Sequence, residues 1–326
     1  MRSLLCSLLI LIPLGLPAEE DVVLKKTSVS QYDESGAEKV RISPQEARIS
    51  GDRTTLKGVE IRTFSQGKEE LRIVTPSCLI DKSYQDKKSP LHKGASQETV
   101  EISGPGFTIT GLGFDFEFRR VAGPDGKNRD SRTFFIRDRV KSSWRAKEAD
   151  AKAKADPLKT PAHKSDKLPA EKLDITAQNL IYDDTGKQAI FEHDVIIVSE
   201  DMILTCERLT CFLEEDKDGR KQISTAIAHG NIVIKRGLQT CKCSDATYSL
   251  VENTLKLTGK PVITEGRDTL QARRITILLA PKTKAGEAAD PKAPGDIVLF
   301  DEPVITAWRK LDLEKPKKTP AAPSQP

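Results

Sequence analysis

Four stretches in the second half of this chain are versions of one another, beginning at Leu173 (LDITAQNLIYDD), Ile203 (ILTCERLTCFLEE), Leu238 (LQTCKCSDATYSL) and Leu270 (LQARRITILLA). A small residue recurs in each, at Ala177, Cys206, Cys243 and Ala272, and Leu180, Leu209, Ala246 or Ile275 follows three positions on. Between them lie partners that also match one another: AIFEHDVIIVSED, TAIAHGNIVIKRG, LKLTGKPVITEGRD and IVLFDEPVITAWRK. The period is about thirty residues with two β-like runs per unit, which marks a repeat architecture. A unit of that size cannot bury its apolar face alone, so neighbours must stack into an elongated sheet structure.

Alternation within the runs assigns strand faces. Phe114, Phe116 and Phe118 alternate with Asp115 and Glu117, which puts three rings on one face and the carboxylates on the other. In the second half Phe191, Val195 and Ile197 share a face, as do Ile232 and Ile234, and Leu255 and Leu257. Val233, Lys235, Lys256 and Thr258 point the other way, whereas the apolar run Val195 to Val198 leaves its inner face undecided. Upstream, VRISPQEARISGD, TTLKGVEIRTFS, ELRIVTPSCLID, VEISGPGFTITGLG, FDFEFRRV and TFFIRDRVKSSW are each about one strand long and divided by Gly, Asp, Ser and Pro. The chain therefore reads as all-β, and its one-sided strands must fold onto themselves or onto a second sheet.

Residues 142–172 are Ala-, Lys- and Pro-rich and carry almost no large apolar side chains, the composition of a linker. The expected organisation is a signal peptide at 1–18, a β module at 19–141, a disordered linker at 142–172, a second β module at 173–310 and a disordered tail at 311–326. A shorter excursion at 281–294 interrupts the last unit. The signal reading rests on Arg2, the apolar stretch Leu4 to Leu16, and Pro17-Ala18 before Glu19-Glu20. An uncleaved anchor is the alternative, although the apolar run is shorter than the roughly 17–25 residues of a spanning helix. Cys6 lies inside that run and not after it, which argues against a lipid-anchored N-terminus.

Composition excludes several classes. The net charge is +4 with charged residues at 31%, so both signs are mixed and no dense basic block points to nucleic acid. Aromatics at 5% are too few for the girdles of a membrane β-barrel. Five of the six cysteines follow the signal segment, an odd number for an exported chain. Cys206 and Cys243 hold the place of Ala177 and Ala272 and read as core lining. Equivalent positions two strands apart lie roughly 9–10 Å from each other, too far for a disulfide. Cys241 and Cys243 share one face of one strand, but no further pair stands at zinc spacing, so no metal or cofactor is expected. His92, His163, His193 and His229 are scattered, and no G-x-S-x-G, P-loop or H-E-x-x-H is present, which argues against an enzyme. His193-Asp194 stands where the related unit has Gly230-Asn231, a turn or bulge site.

Several of these stretches carry a family resemblance. ITAQNLIYDDTGKQAIFEHDVIIVSEDMILTCERL, AIAHGNIVIKRG, CSDATYSLVENTLKLTGKPVI and DTLQARRITI resemble the OstA-like domain of the LptA family of periplasmic lipopolysaccharide-transport proteins, found also at the N-terminus of LptD. QYDESGAEKVRISPQEARI, LKGVEIRTF and VEISGPGFTI resemble, more weakly, LptC. His193-Asp194 and Cys206-Glu207 depart from the usual Gly-Asn and Ala-Asp.

The resemblance implies an antiparallel V-shaped β-jellyroll, here two such modules, whose interior is an apolar groove for the acyl chains of lipopolysaccharide. It also implies partners in the transport bridge, joined through the open strands near Val22 and Trp308 or by end-to-end self-association. The location implied is periplasmic, or at the inner membrane if the signal is retained. Residues expected to line the groove are Phe114, Phe116, Phe118, Ile197, Ile232, Ile234, Leu255 and Leu257. The alternative is a ligand-free structural repeat in which the same side chains form a closed core.

Overall fold

The computed structural model describes residues 22–32, 35–50, 53–65, 67–81, 92–122, 128–145, 172–199, 202–215, 219–249, 252, 254–278, 297–301 and 305–307. The signal segment, the linker from 146 to 171, the excursion at 281–294 and the tail lie outside these. The described residues form twenty strands and no helix, joined in one antiparallel sheet. After the short β1 (Val22–Lys25) and β2 (Val29–Tyr32), a meander of long strands follows. It comprises β3 (Glu38–Ser50), β4 (Arg53–Ser65), β5 (Lys68–Asp81), β6 (His92–Gly104), β7 (Phe107–Ala122) and β8 (Asn128–Arg145). β9 (Lys172–Ala177) and β10 (Asn179–Asp183) are two halves of the next strand. The meander resumes with β11 (Gln188–Val198), β12 (Met202–Glu215), β13 (Lys221–Arg236) and β14 (Gln239–Ser249). Half-strands complete it: β15 (Thr254–Thr258), β16 (Val262–Glu265), β17 (Asp268–Gln271), β18 (Arg274–Leu278), β19 (Ile297–Asp301) and β20 (Ile305–Ala307).

The half-strands reveal a crease. β3 pairs with β1 through one half and β2 through the other, and β14 does the same with β15 and β16. β8 and β11 each pair with both β9 and β10. The sheet thus bends along its length into two leaves. One carries β2, β9, β16, β17 and β20; the other carries β1, β10, β15, β18 and β19. The leaves face each other, since Phe107 of the first stacks on Tyr182 of the second with ring centroids 5.9 Å apart. In section this is a V, the antiparallel roll that the stacked repeats require.

Local chemistry makes the bend, in two alternating forms. On one set of strands, consecutive residues take positive φ: His193 and Asp194 (62° and 50°), Gly230 and Asn231 (81° and 47°), Gly259 and Lys260 (77° and 61°). This left-handed region favours Gly and Asn, and the ladder slips there between Glu192 and Val195 and between His229 and Ile232. On the intervening strands the small residue of each repeat sits at the bend. Its apolar follower comes three positions on, which reverses the alternation so that both remain inside. Leu180, Leu209, Ala246 and Ile275 are all buried. His193 is the one non-glycine residue opening such a pair in these three units, and it carries a Cβ into left-handed backbone. His193→Gly is therefore expected to raise stability by about 1 kcal/mol, seen as a higher urea midpoint at unchanged slope; a lower midpoint would contradict this account of the crease.

Two expectations are corrected. β8 runs to Arg145, with Ser142 and Trp144 buried, so the strand extends four residues into the stretch read as linker because the inward alternation of Val140, Ser142 and Trp144 continues there. The halves also do not form separate modules. β8 bonds β9 and β10, and the buried apolar residues from Val40 to Ile275 make one cluster.

Candidate functional site

Register turns the repeats into rows. On the first leaf Ile42, Ile61, Ile73, Ile102 and Ile109 stand directly opposite one another on β3 to β7, each facing the next across the ladder. Ile109 faces Ser142, Ser142 faces Ile175, and the row continues through Ile197, Leu204, Ile234, Cys241, Ile263 and Leu270. At strand spacing it extends roughly 60 Å, one side chain per strand. Ser142 alone is polar, and its hydroxyl is occupied: Trp144 Nε1 donates to it at 3.1 Å and it donates to the Ile175 carbonyl at 3.4 Å.

The second leaf answers with two rows. One passes from Phe116 through Phe134, Tyr182, Ala189, Cys211, Ala226, Tyr248 and Leu255 to Ile277. The other joins Phe114, Ile136, Leu180, Phe191, Leu209, Ala228, Ala246, Leu257 and Ile275. Phe114, Phe116, Phe118 and Phe134 form a ring cluster with centroids 5.2 to 6.0 Å apart. All eight residues expected to line a groove are buried in this interior, and six of them fall in these rows. Ile232 lies just inside the crease opposite Cys243, and Phe118 faces Arg132. The ambiguous run resolves as well: Val195 and Ile197 point in, while Ile196 and Val198 are exposed on the outer face beside Ile203.

Apart from exposed aliphatic side chains such as Val74, Ile196, Val198, Ile203 and Ile227, the outer face carries polar and charged groups. Asp115 accepts two hydrogen bonds from Arg137, at 2.7 and 2.6 Å. Along the crease Gln178 donates to Asp194 at 2.6 Å, Asn231 donates to Glu207 at 2.5 Å, and His229 Nδ1 lies 2.5 Å from Asp245. His193 and Asp194 are both exposed at the bend, which is a bulge and not regular strand. The five described cysteines are free thiols, four of them buried and Cys243 half-buried. Burial pushes the Cys206 thiol up to about 11 and Cys78 to about 12, values at which neither is a nucleophile at neutral pH. Among the described residues no three His, Cys, Asp or Glu side chains gather as metal ligands.

Sequence reasoning missed one group altogether. Opposite the crease, the free edges of the two leaves meet through Glu70 of the first and Arg132, Asp184 and Lys221 of the second. Arg132 Nη2 lies 2.5 Å from both Glu70 and Asp184. Lys221 Nζ donates to Asp184 and, at 3.2 Å, to the Tyr182 hydroxyl. Lys221 N donates to the Pro105 carbonyl of the β6–β7 turn at 3.1 Å. Lys221 and Asp184 are both buried. Desolvation first, then the Asp184 charge, raises the Tyr182 pKa well above its ordinary value and keeps it a neutral phenol. No short-range motif announces the group, because its members come from four separate elements.

The fold and its rows define a class: a two-leaf antiparallel roll of stacked strand pairs with an apolar row running along its interior. Residues 174–282 match the family described as LptA/(LptD N-terminal domain) LPS transport protein. Among solved structures, the chain is similar to LptH, the LptA homologous periplasmic component of the lipopolysaccharide transport device from Pseudomonas aeruginosa. Identity is 15%, with 40% of this chain and 95% of that one covered at a TM-score of 0.28. No curated protein matches the chain.

Proposed function

We infer that this protein is a periplasmic component of the lipopolysaccharide transport bridge, and that its roll shields acyl chains between the leaves while sugars and phosphates stay in water. The observation that carries this reading is the row of isoleucines and leucines running through both halves. Each methylene transferred from water into such an interior gains roughly 0.8 kcal/mol, so a multi-acylated lipid gains tens of kcal/mol without needing specific contacts. Interchangeable aliphatic side chains suit that task. Among the described residues both roll ends present half-strands paired on one side, β1 and β2 against β3 at one and β19 and β20 against β18 and β17 at the other. Such edges accept a strand from a bridge partner or a second copy.

A second reading has its own support. Phe114, Phe134 and Leu257 are fully buried, as in the closed core of a ligand-free scaffold. Photo-crosslinking residues placed singly at Phe116, Asp115, Ile234 and Lys235 in the mature protein, then exposed to lipopolysaccharide, separate the two. Adducts at Phe116 and Ile234 alone are expected for lipid between the leaves; no adduct at any position would favour the scaffold.

A further inference from the structure

We propose that Glu70, Arg132, Asp184 and Lys221 form a latch across the free edges of the two leaves, and that lipid enters the roll from the side when it parts. The inference rests on the lipid-shielding reading above. Its starting point is that the interior behind these residues is full: Phe107 stacks on Trp144 at 4.7 Å and on Tyr182 at 5.9 Å, and Phe134 lies 6.0 Å from Tyr182. An acyl chain can be seated only if the leaves separate.

The topology says which motion is available. All ladder hydrogen bonds run along the roll axis within each leaf, so spreading the V about its crease breaks none of them. What must break are bonds between the leaf edges, and these include Arg132 to Glu70 and Lys221 N to the Pro105 carbonyl. The chemistry of the contact favours reversible parting. A buried ion pair contributes little net stability because its desolvation offsets its attraction, and on opening each partner recovers water. An apolar seal would lose its burial with no such compensation. Arg132 Nε is already buried without a hydrogen-bond partner, a further cost borne only in the closed form.

A staple tests this. A Cβ built on Gly106, in the β6–β7 turn of the first leaf, lies 3.8 Å from the Arg220 Cβ of the second, the spacing of a disulfide. At φ 95° and 3.1 Å from the Lys221 carbonyl oxygen a Cys there costs about 1–2 kcal/mol of strain, which is the same in the oxidised and reduced protein. In the full chain, Gly106→Cys/Arg220→Cys protein is oxidised, the new bond is confirmed by peptide mass, and uptake of purified lipopolysaccharide is compared before and after dithiothreitol. At least tenfold lower uptake when oxidised, restored on reduction, is expected. Equal uptake in both states would overturn lateral entry here. If the wild-type chain takes up no lipopolysaccharide, the transport reading fails and the latch is judged by Trp144 alone. In a Trp308→Phe background, Lys221→Met is expected to raise acrylamide quenching of Trp144 at least twofold, and unchanged quenching would sink the latch. Where Lys221→Met does not fold, reducing the stapled protein supplies the same comparison.

Discussion

Phe116→Asp is expected to yield no folded protein, whereas Asp115→Ala, one residue away, should unfold within about 1 kcal/mol of wild type. The Phe116 ring is 1% exposed, lies between Phe114 and Phe118 at 5.7 and 5.2 Å, and covers Gly94 so closely that a Cβ there would overlap it. Truncating a buried Phe to Ala costs about 3–5 kcal/mol, and a carboxylate at the same place adds its own desolvation. Against a total stability of about 5–15 kcal/mol, that sum removes the folded state. Asp115 loses only a partly exposed ion pair with Arg137, worth about 0–1 kcal/mol. Circular dichroism and urea titration of both variants decide the matter; a soluble, cooperatively unfolding Phe116→Asp protein would show that the face assignment is wrong.

The second large effect is expected at Lys221. Lys221→Met leaves the Asp184 carboxylate, 3% exposed, with Arg132 as its remaining cation. Removing one partner of a buried pair typically costs about 3–5 kcal/mol, much of it the penalty of the charge left behind. Because Arg132 persists, the loss is expected near the lower figure. Lys221→Met/Asp184→Leu removes that stranded charge, so the double variant should be more stable than Lys221→Met alone. The urea double-mutant cycle should then show a coupling of at least about 1 kcal/mol. Additive losses would mean that the two side chains do not act as a pair.

Much of the roll was legible in the sequence, for a local reason. The motif of a small residue with an apolar one three positions on encodes the crease, and Gly230-Asn231 and Gly259-Lys260 encode its alternate form; both act within a single strand. The two-residue alternation of Phe114, Phe116 and Phe118 likewise needs nothing distant to read correctly. The isoleucine row of the first half was less visible, because identifying Ile61, Ile73, Ile102 and Ile109 as neighbours requires the register between strands. The break between halves was misplaced because composition changes at the linker while the ladder does not. The Asp184 cluster was illegible: Asp183 and Asp184 sit together in YDDTG, where Asp183 ties down the turn by accepting from Thr185 N and Gly186 N at 3.0 and 2.9 Å. Nothing in those letters distinguishes the aspartate that turns inward.

Because each strand carries its own bend, no central core fixes how many strands the roll contains. Adding or deleting one two-strand unit changes the length by roughly 10 Å and leaves every other bend as it was. The length of the molecule is therefore a quantity that duplication can adjust in steps without redesigning a single turn.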